Sequence, residues 1–146
     1  MIRVKLIGNV KNLMKTTEDT EYTEDKYPYS KLTDKIIKCA IEVHKTLGPG
    51  FLENIYENAL IYELKQQGLK VEKQKLVPIA YKETVVGEHR LNLLVEGEVI
   101  VENKTVKEFN DIHQAQILSY LKATRKKIGL LINFAKTKID VKRMIL

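Results

Sequence analysis

Cys39 is the only cysteine among the 146 residues. An intrachain disulfide and a multi-cysteine zinc site are therefore excluded. Its place inside an apolar helical pattern marks it as a buried, inert thiol. No apolar run approaches the ~20 residues of a membrane span. The opening Met1-Ile2-Arg3-Val4-Lys5-Leu6-Ile7 is too short and too broken by charge to serve as a signal peptide. The cytoplasm is the simplest compartment, and a membrane is not expected among the partners. Histidine is scarce too. His89 and His113 lack metal-ligand spacing with each other, and His44 falls on the inner face of a helical pattern, where a packed, hydrogen-bonded role is expected. No internal repeat is visible.

What is present is an ordinary globular mixture, 44% hydrophobic and 30% charged, with a net charge of +6 and a pI near 9.3. The length fits one domain. The basic balance permits phosphate binding by long-range attraction and counterion release, although charge alone does not imply it.

Residues 1–15 alternate basic and apolar positions, as an edge strand or a frayed tail does. Residues 16–25 are acidic, Thr-rich and aperiodic, and read as a flexible linker. The folded unit is expected over 29–146, with 1–28 as an N-terminal extension. A first helix is expected over 34–47, with Thr33 as N-cap and Ile37, Ala40, Ile41, His44 and Leu47 facing inward. Gly48-Pro49-Gly50 stops it. A second helix follows over 52–67, with Leu52, Ile55, Tyr56, Ala59 and Leu60 as its apolar stripe and Glu53 at the border. From Val71 the period changes to two, and strands are expected as far as Val101. A third helix over 111–125 and strands at 128–134 and 139–145 complete the chain. This order describes an α/β domain, a central mixed β-sheet flanked by α-helices.

Two segments carry chemistry. Within residues 90–104, side chains alternate faces, so Glu102 and Lys104 share one. Whether Asn92 joins them depends on the turn near Glu96-Gly97. A two-residue turn would put Asn92 and Glu102 on opposite faces. A three-residue loop, Val95-Glu96-Gly97 with Gly97 left-handed, would put them together. An acid and a lysine two residues apart on a strand are the groups that phosphodiester hydrolysis needs: a carboxylate to hold a cation, and a lysine to orient water and stabilise developing charge. The other segment is Gly50-Phe51-Leu52-Glu53-Asn54-Ile55-Tyr56.

Together these segments resemble the GxxExxY family, a branch of the PD-(D/E)XK nuclease superfamily, over about residues 36–145. The resemblance implies a restriction-endonuclease-like core and metal-dependent cleavage of nucleic-acid phosphodiesters. Glu53 matches the glutamate of the signature and Tyr56 its tyrosine, which is expected to pack its helix on the sheet. Glu102 and Lys104 match the Glu-x-Lys pair, so Glu53, Glu102 and Lys104 are the implied catalytic residues. Asn92, Glu102 and Glu53 stand at the metal positions, for Mg²⁺ or Mn²⁺. Gln116 and Tyr120, at i and i+4 on the third helix, resemble a Gln-x-x-x-Tyr motif that lies near the bound strand in some relatives. The basic clusters at 122–127 and 136–143 add Lys122 and Arg125 as phosphate contacts, although Lys122 also suits a helix C-terminus. DNA or RNA is thus the expected partner, with a protein partner or a second copy as further options.

Asn92 departs from the pattern, because the superfamily places an aspartate there. An asparagine offers one carbonyl oxygen and no charge, so metal binding is expected to weaken. Three readings stand open. The chain is a nuclease fold kept for binding nucleic acid or a protein; it cuts with Glu53 or Glu88 compensating; or it is an inactivated variant.

Overall fold

The computed structural model describes residues 3–7, 16–18 and 29–146. Ten elements follow one another: β1 (Arg3–Ile7), β2 (Thr16–Glu18), α1 (Ser30–Leu47), α2 (Glu53–Gln66), β3 (Val71–Tyr81), β4 (Thr84–Val95), β5 (Val99–Lys104), α3 (Asp111–Thr124), β6 (Ile128–Asn133) and β7 (Asp140–Ile145). The strands form one seven-stranded sheet in the order β2-β1-β7-β6-β5-β4-β3. The pairs β5–β6 and β1–β7 are parallel and the others antiparallel, so the sheet is mixed. Of the stretch expected as linker, Thr16–Glu18 is an edge strand on β1; its remainder lies outside the described residues.

The sheet centre reads as continuous apolar sequence because it is covered on both faces. Val99, Val101, Ile128, Leu130 and Ile132 pack under α1 and α2, whereas Ile100, Leu131 and Met144 pack under α3. Helix α3 is the crossover between the parallel strands β5 and β6, as such a connection requires. It sits close to the sheet at Gly129, where an added Cβ would lie 2.7 Å from the Ile117 Cδ1. The helix is capped by Asn110, whose side chain accepts from the Ile112 and His113 N–H groups, while His113 Nδ1 accepts from the Asn110 N–H. Among the described residues no helix is long and apolar enough to cross a membrane.

Both helices depart from the expectation in part. Helix α1 begins at Ser30, a turn earlier than expected, and Thr33 lies inside it as a buried residue whose hydroxyl donates to the Ser30 carbonyl at 3.1 Å. Burial of Ser30 and Thr33 extends the helix, and Asp34 is turned to pair with the buried Arg143 of β7. In α2 the buried row is Tyr56, Glu57, Leu60 and Leu64, while Leu52 and Ile55 of the expected stripe are exposed. Of the expected inner face of α1, Ile37 and Ala40 are buried with Ile36, Cys39 and Val43, but Ile41, His44 and Leu47 are only half-buried. His44 Nε2 donates to the Lys136 carbonyl at 2.7 Å.

Candidate functional site

The β4–β5 hairpin positions the site. Val95 pairs with Val99 around a three-residue loop, Glu96-Gly97-Glu98, in which Glu96 (φ 54°) and Gly97 (φ 67°) are both left-handed. The loop has the odd length that the sequence left open, shifted by one residue from Val95-Glu96-Gly97. Leu93 pairs with Val101, so continuing the register sets Asn92 opposite Glu102. There side chains take over from backbone pairing. The Asn92 N–H donates to Glu102 Oε1 at 3.2 Å, and the Asn103 N–H donates to Asn92 Oδ1 at 3.1 Å. The strands part at the point where Glu102 needs room.

The regular alternation of β4 also slips here. Leu93 packs with the α1–α2 cluster, yet Leu91, two residues away, packs with the α3 cluster. Across the sheet, the β3 residue opposite Asn92 is Gln74, which drops out of the paired register and has a left-handed φ of 54°. Asn92 thereby turns its amide toward α2. Its Nδ2 donates to Glu57 Oε2 at 3.2 Å. Glu57, only 3% exposed, also accepts from Gln74 Nε2 at 3.0 and 3.1 Å and lies 3.8 Å from Lys73 Nζ. The hydrogen bonds to this buried carboxylate thus come from amide donors on β3 and β4, as burial of its oxygens requires.

Glu53 opens α2 one turn before Glu57. Partial burial raises its pKa, the Lys104 charge lowers it, and Glu57 raises it. Glu102 is 5% exposed, and burial pushes its carboxyl up to about 7. The Asn92 N–H and Lys104 pull that value down, while Glu53 and Glu57 add to it. Lys104 ends β5 half-buried, within electrostatic reach of Glu53, Glu102, His89 and His113. The structure therefore gathers Glu53, Asn92, Glu102 and Lys104, and adds Glu57.

On the α3 side, Tyr120 stacks on His89 of β4, ring centroids 3.7 Å apart and planes 15° apart. Burial raises the Tyr120 hydroxyl pKa, and Glu102 adds to it. Burial and the Lys104 charge both lower the His89 pKa, and its Nε2 is buried with no partner among the described residues. Gln116 lies one turn before Tyr120 and is half-buried. Lys122 and Arg125 are exposed at the C-terminal end of α3, in the turn leading back to the start of β6. That is the opposite end of the sheet from Lys104, so they do not join the cluster.

Glu57, Gln74 and His89 were not singled out by the sequence. The signal for Glu57 was present: residues 57, 60 and 64 follow the spacing of one helix face, and a carboxylate in such a row needs a partner. Nothing local announced Gln74 or His89, whose roles come from the strand pairing and from α3.

The donor set does not fit a divalent cation as it stands. Among the described residues no three His, Cys, Asp or Glu side chains are grouped to hold a metal. The Asn92 carbonyl oxygen already accepts from the Asn103 N–H, and the Asn92 amide presents protons, not a lone pair, to Glu57. What the cluster offers is Lys104 beside the buried Glu102, whose carboxyl is pushed up to about 7, and the hydrogen-bonded Glu57.

A family model described as the PD-(D/E)XK nuclease superfamily matches residues 30–144. No curated protein and no solved structure matches the chain. Nucleases of this superfamily generally use divalent metals. The match spans both helices of the first layer, the parting strands of the site and the α3 crossover, and the chain belongs to the PD-(D/E)XK nuclease superfamily.

Proposed function

We propose that this chain is a nuclease-fold domain of the GxxExxY type that binds nucleic-acid backbones and has little or no metal-dependent cleavage. The observation that carries the reading is Asn92, whose amide is engaged at both ends, to Glu57 and to the Asn103 N–H. In that arrangement hydrogen bonds tie α2, β4 and β5 together, work that a shared cation would do between carboxylates. The net charge of +6 and the position of Lys104 support phosphate binding. A second reading is a nuclease still using Mg²⁺ or Mn²⁺, with Glu53, Glu102 and Lys104 as working groups. The observation favouring it is that Glu57 stands beside the vacated charge, able to serve as the missing carboxylate.

Binding is expected to be independent of sequence and to weaken steeply with salt. The logarithm of affinity for duplex DNA should fall with a slope of about −0.9 per contacted phosphate. Oligonucleotide titrations across a salt series measure it. Absence of binding at low salt would favour a protein-interaction role instead.

Asn92→Asp separates the two readings. Aspartate keeps an acceptor for the Asn103 N–H but sets a carboxylate against Glu57 in place of a donor. Without metal the variant should lose roughly 1–3 kcal/mol, because a donor to Glu57 is replaced by a second carboxyl. Mn²⁺ should restore the loss in Asn92→Asp and leave the parent chain unchanged. Thermal melts with Mn²⁺ or a chelator, beside a cleavage assay, decide the matter. Efficient metal-dependent cleavage by the unaltered chain would establish the second reading.

A further inference from the structure

Resting on the nucleic-acid reading, we propose that the bound strand is single-stranded and that one of its bases stacks on Phe51. Phe51 is 45% exposed, Leu52 72% and Ile55 38%. They form an apolar lip on the turn of α2 that carries Glu53. This lip is held in place. The Phe51 N–H donates to the Tyr56 Oη at 3.1 Å, and the Tyr56 hydroxyl donates to the Gly48 carbonyl at 2.6 Å. The Phe51 ring meets Tyr56 edge-on, with centroids 6.1 Å apart. Tyr56 stacks on Phe134 at 4.7 Å, and the Phe134 N–H donates to the Lys104 carbonyl at 3.0 Å. Three rings in series therefore connect the exposed lip to the strand end that bears Lys104.

The charges around the lip select its occupant. The parallel strands β5 and β6 end here, and the loops 48–52, 105–110 and 134–139 gather beyond them. The bond from His44 to the Lys136 carbonyl draws the last of these against α1. Lys45, Lys107 and Lys138 are exposed on this end, while Lys136 is paired with Glu108 and Asp140. An exposed aromatic face at the same end of the fold as Lys45, Lys107 and Lys138 matches a ligand that alternates flat apolar groups with regular anions. Single strands have that chemistry, with a base for the ring and phosphates for the lysines. A duplex keeps its base faces stacked inside and offers Phe51 nothing comparable.

The test uses the full chain at low salt with a short single strand in DNA and RNA versions, the same strand with central abasic sites, and a duplex. The unaltered chain should prefer the single strand with bases. Phe51→Ala, at an exposed position, should weaken that binding about five- to a hundredfold and leave the abasic strand unaffected. Phe51→Trp should keep the affinity, and its fluorescence should be quenched only by the strand carrying bases. Equal binding of the single strand by Phe51→Ala and the parent chain, with the salt dependence intact, overturns this inference and leaves the backbone-binding reading standing. So does equal affinity of the parent chain for strands with and without bases. No binding of any nucleic acid by the parent chain overturns both.

Discussion

Tyr56→Ala is expected to lower stability by about 3–5 kcal/mol, the usual range for deleting a buried aromatic side chain. Tyr56 is fully buried, packed flat on Phe134, and its hydroxyl closes the turn after α1 through Gly48 and Phe51. Alanine removes the stack, opens a cavity among Leu60, Phe134 and their neighbours, and leaves two backbone groups short of a partner. The midpoint of thermal unfolding should fall by on the order of 10 °C. Tyr56→Phe keeps the ring and loses only the hydroxyl, so it should cost about 1–2 kcal/mol. Urea melts of the three proteins separate the contributions. A Phe variant as unstable as the Ala variant would transfer the role from packing to the hydroxyl. An Ala variant within about 1 kcal/mol of the parent would remove Tyr56 from the core account altogether. The spacing of Glu53 and Tyr56 thus has a mechanical sense: one turn of helix carries the carboxylate and the ring that anchors it.

Glu102→Gln is expected to stabilise the chain at alkaline pH and leave it unchanged in acid. Burial raises the Glu102 carboxyl from an ordinary 4.5 to about 7, so the folded chain binds this proton more tightly than the unfolded chain does. Stability contributed by the neutral carboxyl is fully present below the unfolded value and is lost as pH rises through the folded one. Across that window the loss sums to roughly 3 kcal/mol. Glutamine is neutral throughout and keeps an acceptor for the Asn92 N–H. The variant should therefore match the parent near pH 4 and exceed it by up to about 3 kcal/mol near pH 8, in chelator. Denaturant melts at the two pH values check this, since other titrating groups cancel in the difference. A gap that does not change with pH would mean that Glu102 is not held as a neutral acid. Such an outcome would also weaken the case that this site is organised without a cation.

Much of this architecture was legible in the chain itself. Gly48-Pro49-Gly50 and Gly68 break helical runs where a left-handed or proline backbone cannot continue them, and the helices end there. Apolar runs at 99–101 and 128–132 announced strands buried on both faces. Gly97 marked the turn, and an odd loop suffices to set Asn92 against Glu102. The identity of Asn92, an uncharged amide, is a fact of sequence alone. Other features had no local signature. Thr33 looked like a cap by type, yet burial against the sheet carried the helix past it. Leu52 and Ile55 looked like core by period, yet among the described residues no element covers that edge of α2. Periodicity reports which residues share a face. It does not report what the face meets. Asn92 and Glu57 became partners only because α2 lies across β4 where the alternation slips and Gln74 leaves the register. Residue type therefore placed an uncharged amide at position 92, whereas tertiary packing decided which donors meet Glu57, since a buried carboxylate must find partners wherever the fold supplies them.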